Sequence, residues 1–141
     1  MPSNPDEAGM KVLRILYVED NDDLRGAMAY LLRGTDREVV ECANGEEALS
    51  VLESSTFDAV VTDVSLPGIS GTELARTILR TQPLHWIVLC SAYDLAHWAN
   101  ELGQNVRSLP KPFDLDEMEA LMAEIAASME LKAHGNALPT D

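Results

Sequence analysis

Three carboxylates, a hydroxyl and an amine in this chain each close an apolar run. Glu19 and Asp20 follow residues 13–18, Asp63 follows 59–62, Ser91 follows 84–90, and Lys111 lies just past 106–109. Taken alone, Asp63 could be a nucleophile, a metal ligand or a residue of a helix loop. Asn21, Asp22 and Asp23 are explained by N-capping and by favourable interaction with the dipole of a following helix. Glu19 and Asp20 come too early for that, and adjacent carboxylates repel unless a cation or a base lies between them. A hard divalent cation suits them, because Mg²⁺ is typically held by one or two carboxylates with waters and phosphate oxygens. Lys111 is either a clamp on an anionic group or an ion-pair partner that offsets clustered acids, and both roles fit a resting state. As a set these residues suit the movement of a phosphoryl group onto protein. Asp63 has the oxygen nucleophile, an acyl phosphate on aspartate is an established type of covalent intermediate, and the transfer needs mainly positioning and charge neutralisation.

Such a set works only if the fold brings it together. Residues 13–18, 38–43, 59–62, 84–90 and 106–109 are strand-sized and largely apolar, with acids alternating against apolar residues in 38–43 as at a sheet edge. The third run is continuous, as in a strand buried on both faces of a parallel sheet. Between the runs lie helical spacings: Leu24, Met28, Leu31 and Leu32, stopped at Gly34; Ala48, Leu49, Val51 and Leu52; Leu74, Ile78 and Leu79, ended by Gln82-Pro83. Leu95, Trp98, Ala99 and Leu102 mark a weaker helix over about 94–102. The last helix carries Leu115, Met118, Leu121, Met122, Ile125 and Met129, with Asp114 and Glu117 placed as a capping box at its start. Five strands alternating with five helices predict an α/β fold with a parallel sheet and helices on both faces. The polar residues then share one rim, outside the carboxyl ends of the strands, where open α/β sheets bind ligands.

Composition narrows the function. With 141 residues the chain is one domain long, and 24 acidic against 10 basic residues give a formal charge of −14. That balance argues against direct nucleic-acid binding, which depends on Lys and Arg contacts to phosphate. No apolar run approaches the length of a membrane span, and the polar start lacks a signal-peptide layout, so a cytoplasmic location is expected. Cys42 and Cys90 have neither metal-site nor redox-pair spacing and read as small buried hydrophobes. His85, His97 and His134 do not converge on the rim. Residues 1–10 are expected to be a flexible extension, 11–131 the domain, and 132–141 a flexible tail.

Across about residues 11–130 the chain resembles the receiver domain of two-component response regulators, of the stand-alone chemotaxis-regulator kind. The matching pieces are Val18-Glu19-Asp20-Asn21, Ala43-Asn44-Gly45-Glu46-Glu47-Ala48-Leu49, Asp63-Val64-Ser65-Leu66-Pro67-Gly68 with Gly71, Ser91-Ala92 and Lys111-Pro112-Phe113, all in family order. The resemblance implies a flavodoxin-like (βα)5 fold with strand order 2-1-3-4-5, which would keep Cys42 and Cys90 too far apart for a disulfide. It implies that Asp63 accepts a phosphoryl group from a sensor histidine kinase or histidine phosphotransfer protein. It assigns Mg²⁺ to Asp20, Asp63 and the backbone carbonyl of Ser65, with Glu19 acting through water, and gives Lys111 and Ser91 contacts to the phosphoryl group. Such a protein catalyses only its own phosphorylation and dephosphorylation and signals by binding a downstream protein.

Two features depart from the family pattern. Ser108 occupies the position, three before the lysine, where an aromatic switch residue is usual. The segment from Ser91 to Lys111 is also slightly short, which predicts a trimmed fourth helix and a switch region of Ser91, Ser108 and Trp98. The face of the fourth helix, fifth strand and fifth helix, through which many receivers form homodimers, is the face altered. A stand-alone receiver, or one excised from a longer chain, is expected, and three alternatives follow: a phosphorylation-controlled binding module, a phosphorelay intermediate or phosphate sink, and a non-phosphorylated pseudo-receiver. A metal-dependent phosphatase of small molecules fits less well, since no dedicated acid/base or substrate pocket is visible.

Overall fold

A computed structural model describes the backbone of residues 12–137 and the side chains through residue 130. The elements run β1 (Leu13–Val18), α1 (Asp22–Arg33), β2 (Arg37–Cys42), α2 (Gly45–Ser54), β3 (Ala59–Asp63), α3 (Gly71–Thr81), β4 (Trp86–Ser91), α4 (Ala96–Leu102), β5 (Val106–Pro110) and α5 (Leu115–Ala137). The strands form one parallel sheet in the order β2-β1-β3-β4-β5, the flavodoxin-like arrangement that the sequence predicts. Every residue of the central strand β3 is buried, as its unbroken apolar run requires.

Two cores flank the sheet. On one face Ile15, Tyr17, Val61 and Val88 pack against Met28 and Leu32 of α1 and Met118, Met122 and Ile125 of α5. On the other, Leu16, Val18, Val60 and Leu89 pack against Ala48 of α2, Leu74 and Ile78 of α3 and Ala99 of α4. Burying each large aliphatic side chain contributes about 1.5–3 kcal/mol, which is what holds the strand ends in register.

Helix starts follow their capping residues. Asn21 Oδ1 accepts from the Leu24 N–H at 2.9 Å, and Asn44 Oδ1 from the Glu47 N–H at 2.7 Å. Ser70 and Glu73 form a reciprocal capping box at α3. At α5 the Asp114 Oδ1 accepts from the N–H groups of Asp116 and Glu117. Only α4 lacks a side-chain cap among these starts; Leu95 stands at its N-cap, and the helix has 7 residues, beginning at Ala96 rather than near Asp94. At the other extreme, α5 continues to Ala137, past Lys132. The expected extension over residues 1–10 lies outside the described residues.

Cys42 and Cys90 are free and buried, at the ends of β2 and β4 with β1 and β3 between them. Burial raises both thiols, that of Cys42 to about 11. They are core residues with little thiolate character.

Candidate functional site

The parallel order brings the ends of β1, β3, β4 and β5 to one rim. Thr62 is in register with Val18 of β1, Asp63 with Cys90 of β4, and Ser91 with Pro110 of β5. Glu19, Asp20 and Asp63 are thereby gathered so that one carboxylate oxygen from each lies within 4.8 Å of the others. Glu19 is 2% exposed and Asp63 7%, whereas Asp20 faces solvent. Buried carboxylates need a counter-charge, and Lys111 supplies it. Its Nζ lies 2.9 Å from Asp63 Oδ1 and donates to Glu19 Oε1 at 3.2 Å. Burial pulls the Lys111 amine down, but the hydrogen bond and charge of Asp63, then those of Glu19, outweigh it and hold the amine above its ordinary value. The lysine is therefore a fixed positive charge at neutral pH.

Glu19 is held on every side. Its N–H donates to the Cys42 carbonyl at 3.0 Å, its second carboxylate oxygen accepts from the Asn21 N–H at 3.0 Å, and its carbonyl accepts from Arg25 Nη1 at 2.9 Å. Among the described residues no hydrogen bond or ion pair engages the Asp20 carboxylate. An exposed, unengaged oxygen beside two buried ones is a donor set that fits a hard divalent cation. No other group of three His, Cys, Asp or Glu side chains with that spacing occurs among the described residues.

Two glycines shape the ground around Asp63. Gly68 has φ of 74°, and a Cβ there would lie 2.6 Å from Glu46 Oε2. That carboxylate accepts from the Ile69 N–H, closing the turn after Pro67. A Cβ on Gly71 would meet the Asp63 carbonyl oxygen at 2.1 Å, so α3 starts hard against the strand end only because this residue has no side chain.

Ser91 ends β4 and its Oγ accepts from the Tyr93 N–H at 3.1 Å. Asp63, Ser65, Thr72, Ser91, Tyr93 and Trp98 line a cavity of about 450 Å³ that opens on the acidic pocket. Trp98 comes from α4, with the Arg76 guanidinium 5.9 Å from its ring centroid. Ser108 does not join this group; it lines a smaller cleft between β5 and α5 with Glu117, Ala120 and Glu124. His85 Nδ1 donates to the Trp86 carbonyl at 3.0 Å, at the start of β4 and away from the rim, and His97 lies in α4. The His134 side chain is outside the described residues.

Residues 15–123 match the response regulator receiver domain family. The chain belongs to that family. Over 111 residues this receiver is 32% identical to the DNA-binding transcriptional regulator NtrC of Salmonella typhimurium, an alignment covering 77% of the chain and 24% of NtrC. It thus spans about a quarter of that relative's length. The receiver superposes on TrrA of Thermotoga maritima, a response regulator solved in complex with Mg²⁺-BeF, with a TM-score of 0.71 at 30% identity, over 81% of this chain and 99% of TrrA. With the chemotaxis response regulator CheY4 of Vibrio cholerae the TM-score is 0.72 at 21% identity, over 82% and 99%, a likeness of fold. Receivers are phosphoacceptor signalling modules rather than classical enzymes.

Arg25 is the site residue that sequence reasoning passed over. It carries no motif, and its only signal is that it is a lone cation in an acid-rich run, three residues from Asp22. Among the described residues no helix is long and apolar enough to cross a membrane.

Proposed function

We propose that this receiver accepts a phosphoryl group on Asp63 from a histidine kinase or histidine phosphotransfer protein and signals in the cytoplasm by binding another protein. The observation that carries this reading is the Asp63 carboxylate itself, at the end of the central strand, 2.9 Å from an ammonium and flanked by two acids. An Asp63 Oδ attacks phosphorus in line with the departing nitrogen of a phosphohistidine. The new O–P bond forms as the P–N bond breaks, and its electron pair returns to the imidazole. Lys111 redirects a donor from the carboxylate to a phosphoryl oxygen, and the Ser91 hydroxyl, at the rim of the same cavity, donates to another. Asp20, Asp63 and the carbonyl of Ser65 would hold a Mg²⁺, with Glu19 bound through water. When bound, the ion neutralises charge that develops on the phosphoryl oxygens.

The donor reaches this rim beside an apolar groove of about 560 Å³, formed by Leu24, Met28 and Leu31 of α1 with Phe113, Leu115 and Met118. Output runs through α4, where Trp98 lines the cavity next to Asp63 and Ser91. With Ser108 in place of a large switch side chain, the usual coupling of Ser91 to the α4–β5 surface is interrupted. The signal passes instead through a remodelled α4 that carries Trp98, where a downstream protein or a second copy binds.

The reading is tested by incubation with Mg²⁺ and acetyl phosphate, followed by intact-mass measurement of wild type and D63N. One phosphate adduct in the wild type and none in the variant is expected. A persistent adduct that alters Trp98 fluorescence supports a switch, and rapid loss supports a relay intermediate or sink. No adduct with any donor would leave a pseudo-receiver and sink the proposal.

A further inference from the structure

We infer that Arg25 is a positioning residue for the divalent cation of the acidic pocket, pinning the Glu19–Asp20 peptide so that the Asp20 carboxylate is presented beside Asp63. The inference rests on the Mg²⁺ reading above. The guanidinium joins three separate segments. Its Nη1 donates to the Glu19 carbonyl at 2.9 Å, at the end of β1. Its Nη2 donates to Asp22 Oδ1 at 2.8 Å, in the first turn of α1. Its Nε lies 3.6 Å from Glu41 Oε1 on the edge strand β2, and the other oxygen of Glu41 is 3.0 Å from Arg33 Nη2. The Arg25 side chain is 18% exposed and its bond to the Glu19 carbonyl is partly buried, whereas the Asp22 carboxylate is a solvent-exposed partner.

Together with the Glu19 N–H bond to Cys42, the Arg25 contact ties both sides of Glu19 to neighbouring elements. Asp20 is the next residue, and nothing among the described residues holds its side chain. The point from which its carboxylate reaches toward Asp63 is therefore set by the backbone that Arg25 restrains. Electrostatics works against this placement on two counts. A cation near a helix N-terminus meets the positive end of the dipole, and a positive charge near a Mg²⁺ site weakens Mg²⁺ binding. The geometric and Coulombic effects of Arg25 thus have opposite signs, and substitution separates them. Lysine keeps the charge but cannot reproduce a three-way planar fork. Methionine removes the charge and the fork together.

The test is calorimetric titration of Mg²⁺ into the full chain, with no phosphodonor, for wild type, R25K and R25M, alongside thermal unfolding of each in EDTA. Positioning predicts that R25K binds Mg²⁺ about tenfold more weakly, and that R25M is weaker than wild type despite losing a repulsive charge. A purely Coulombic role predicts R25K equal to wild type and R25M tighter, and that result overturns the inference while leaving the Mg²⁺ reading intact. If the wild type itself takes up no Mg²⁺ at millimolar concentration, both fall. Should R25M fail to fold, R25K against wild type decides the matter alone.

Discussion

Lys111 faces two carboxylates that are almost wholly buried, and that imbalance sets what its loss would do. Removing one partner of a buried pair leaves the other charges uncompensated, which costs more than the pair itself contributes. K111M should therefore lower stability by about 2–3 kcal/mol in EDTA, measured as a fall in the urea midpoint. Mg²⁺ should restore more of that loss than it adds to the wild type, because a ligand that binds only the folded state stabilises by mass action. A variant as stable as wild type in EDTA would mean that Glu19 and Asp63 are already neutralised some other way. At this scale most of the site was legible. Glu19, Asp20, Asp63, Ser91 and Lys111 each close an apolar run, so a parallel sheet had to bring them to one rim. Arg25 was not legible, because its contacts run to a backbone carbonyl and to Glu41 on a neighbouring strand, neither of which leaves a pattern in sequence.

The helices differ in how firmly their first turns are closed, and function follows that difference. α3 carries a full capping box from Ser70 and Glu73 directly behind Asp63. S70A removes one half of it and should cost about 1 kcal/mol in urea unfolding. α4 has no side-chain cap, runs only 7 residues, and buries Ala99 fully while Leu95, Trp98 and Leu102 pack only partly. Few buried contacts, and a first turn held among the described residues by only one side-chain bond, from the Ala96 N–H to Asp94 Oδ1 at 3.0 Å, give a low local unfolding free energy. Amides of residues 96–102 should exchange with deuterium well before those of residues 71–81; equal protection in the two helices would remove α4 as the mobile output element. The weak apolar pattern over 94–102 foretold this element but not its start, since Leu95 carries no capping chemistry. The extent of α5 was also hidden, because the sequence past Lys132 has no apolar stripe to announce a helix.

Over the whole molecule, charge is distributed so that many of the cations are spent in ion pairs, most of them at the surface. Arg14, Arg33, Arg37 and Arg107 each pair with a glutamate, and Lys111 with two acids. The outer surface is left with the excess that makes the net charge −14. Such a protein is poorly placed to lose protons, and four interior groups set where that becomes costly. Burial raises the Cys42 thiol from 9.0 to about 11 and raises those of Cys90 and the Tyr17 phenol further, with the charges of Glu19 and Asp63 adding to the effect at Tyr17. For these acids the folded state holds its proton above the pH at which the unfolded chain releases it, so stability falls as pH rises past the unfolded value. Lys111 acts in the same direction. Its folded value is raised, so its ion pairs contribute fully below about 10.4, the unfolded value, and that contribution is lost as pH climbs through the folded one. The urea midpoint should accordingly be flat from about pH 7 to 8 and fall steadily from about pH 9 upward. A C42A/C90A variant should show a shallower fall between about pH 9 and 11, since two of the four groups are gone. If the variant declines as steeply as wild type, the buried thiols do not set alkaline stability, and the loss belongs to Tyr17, Lys111 and the mounting self-repulsion of an already acidic surface.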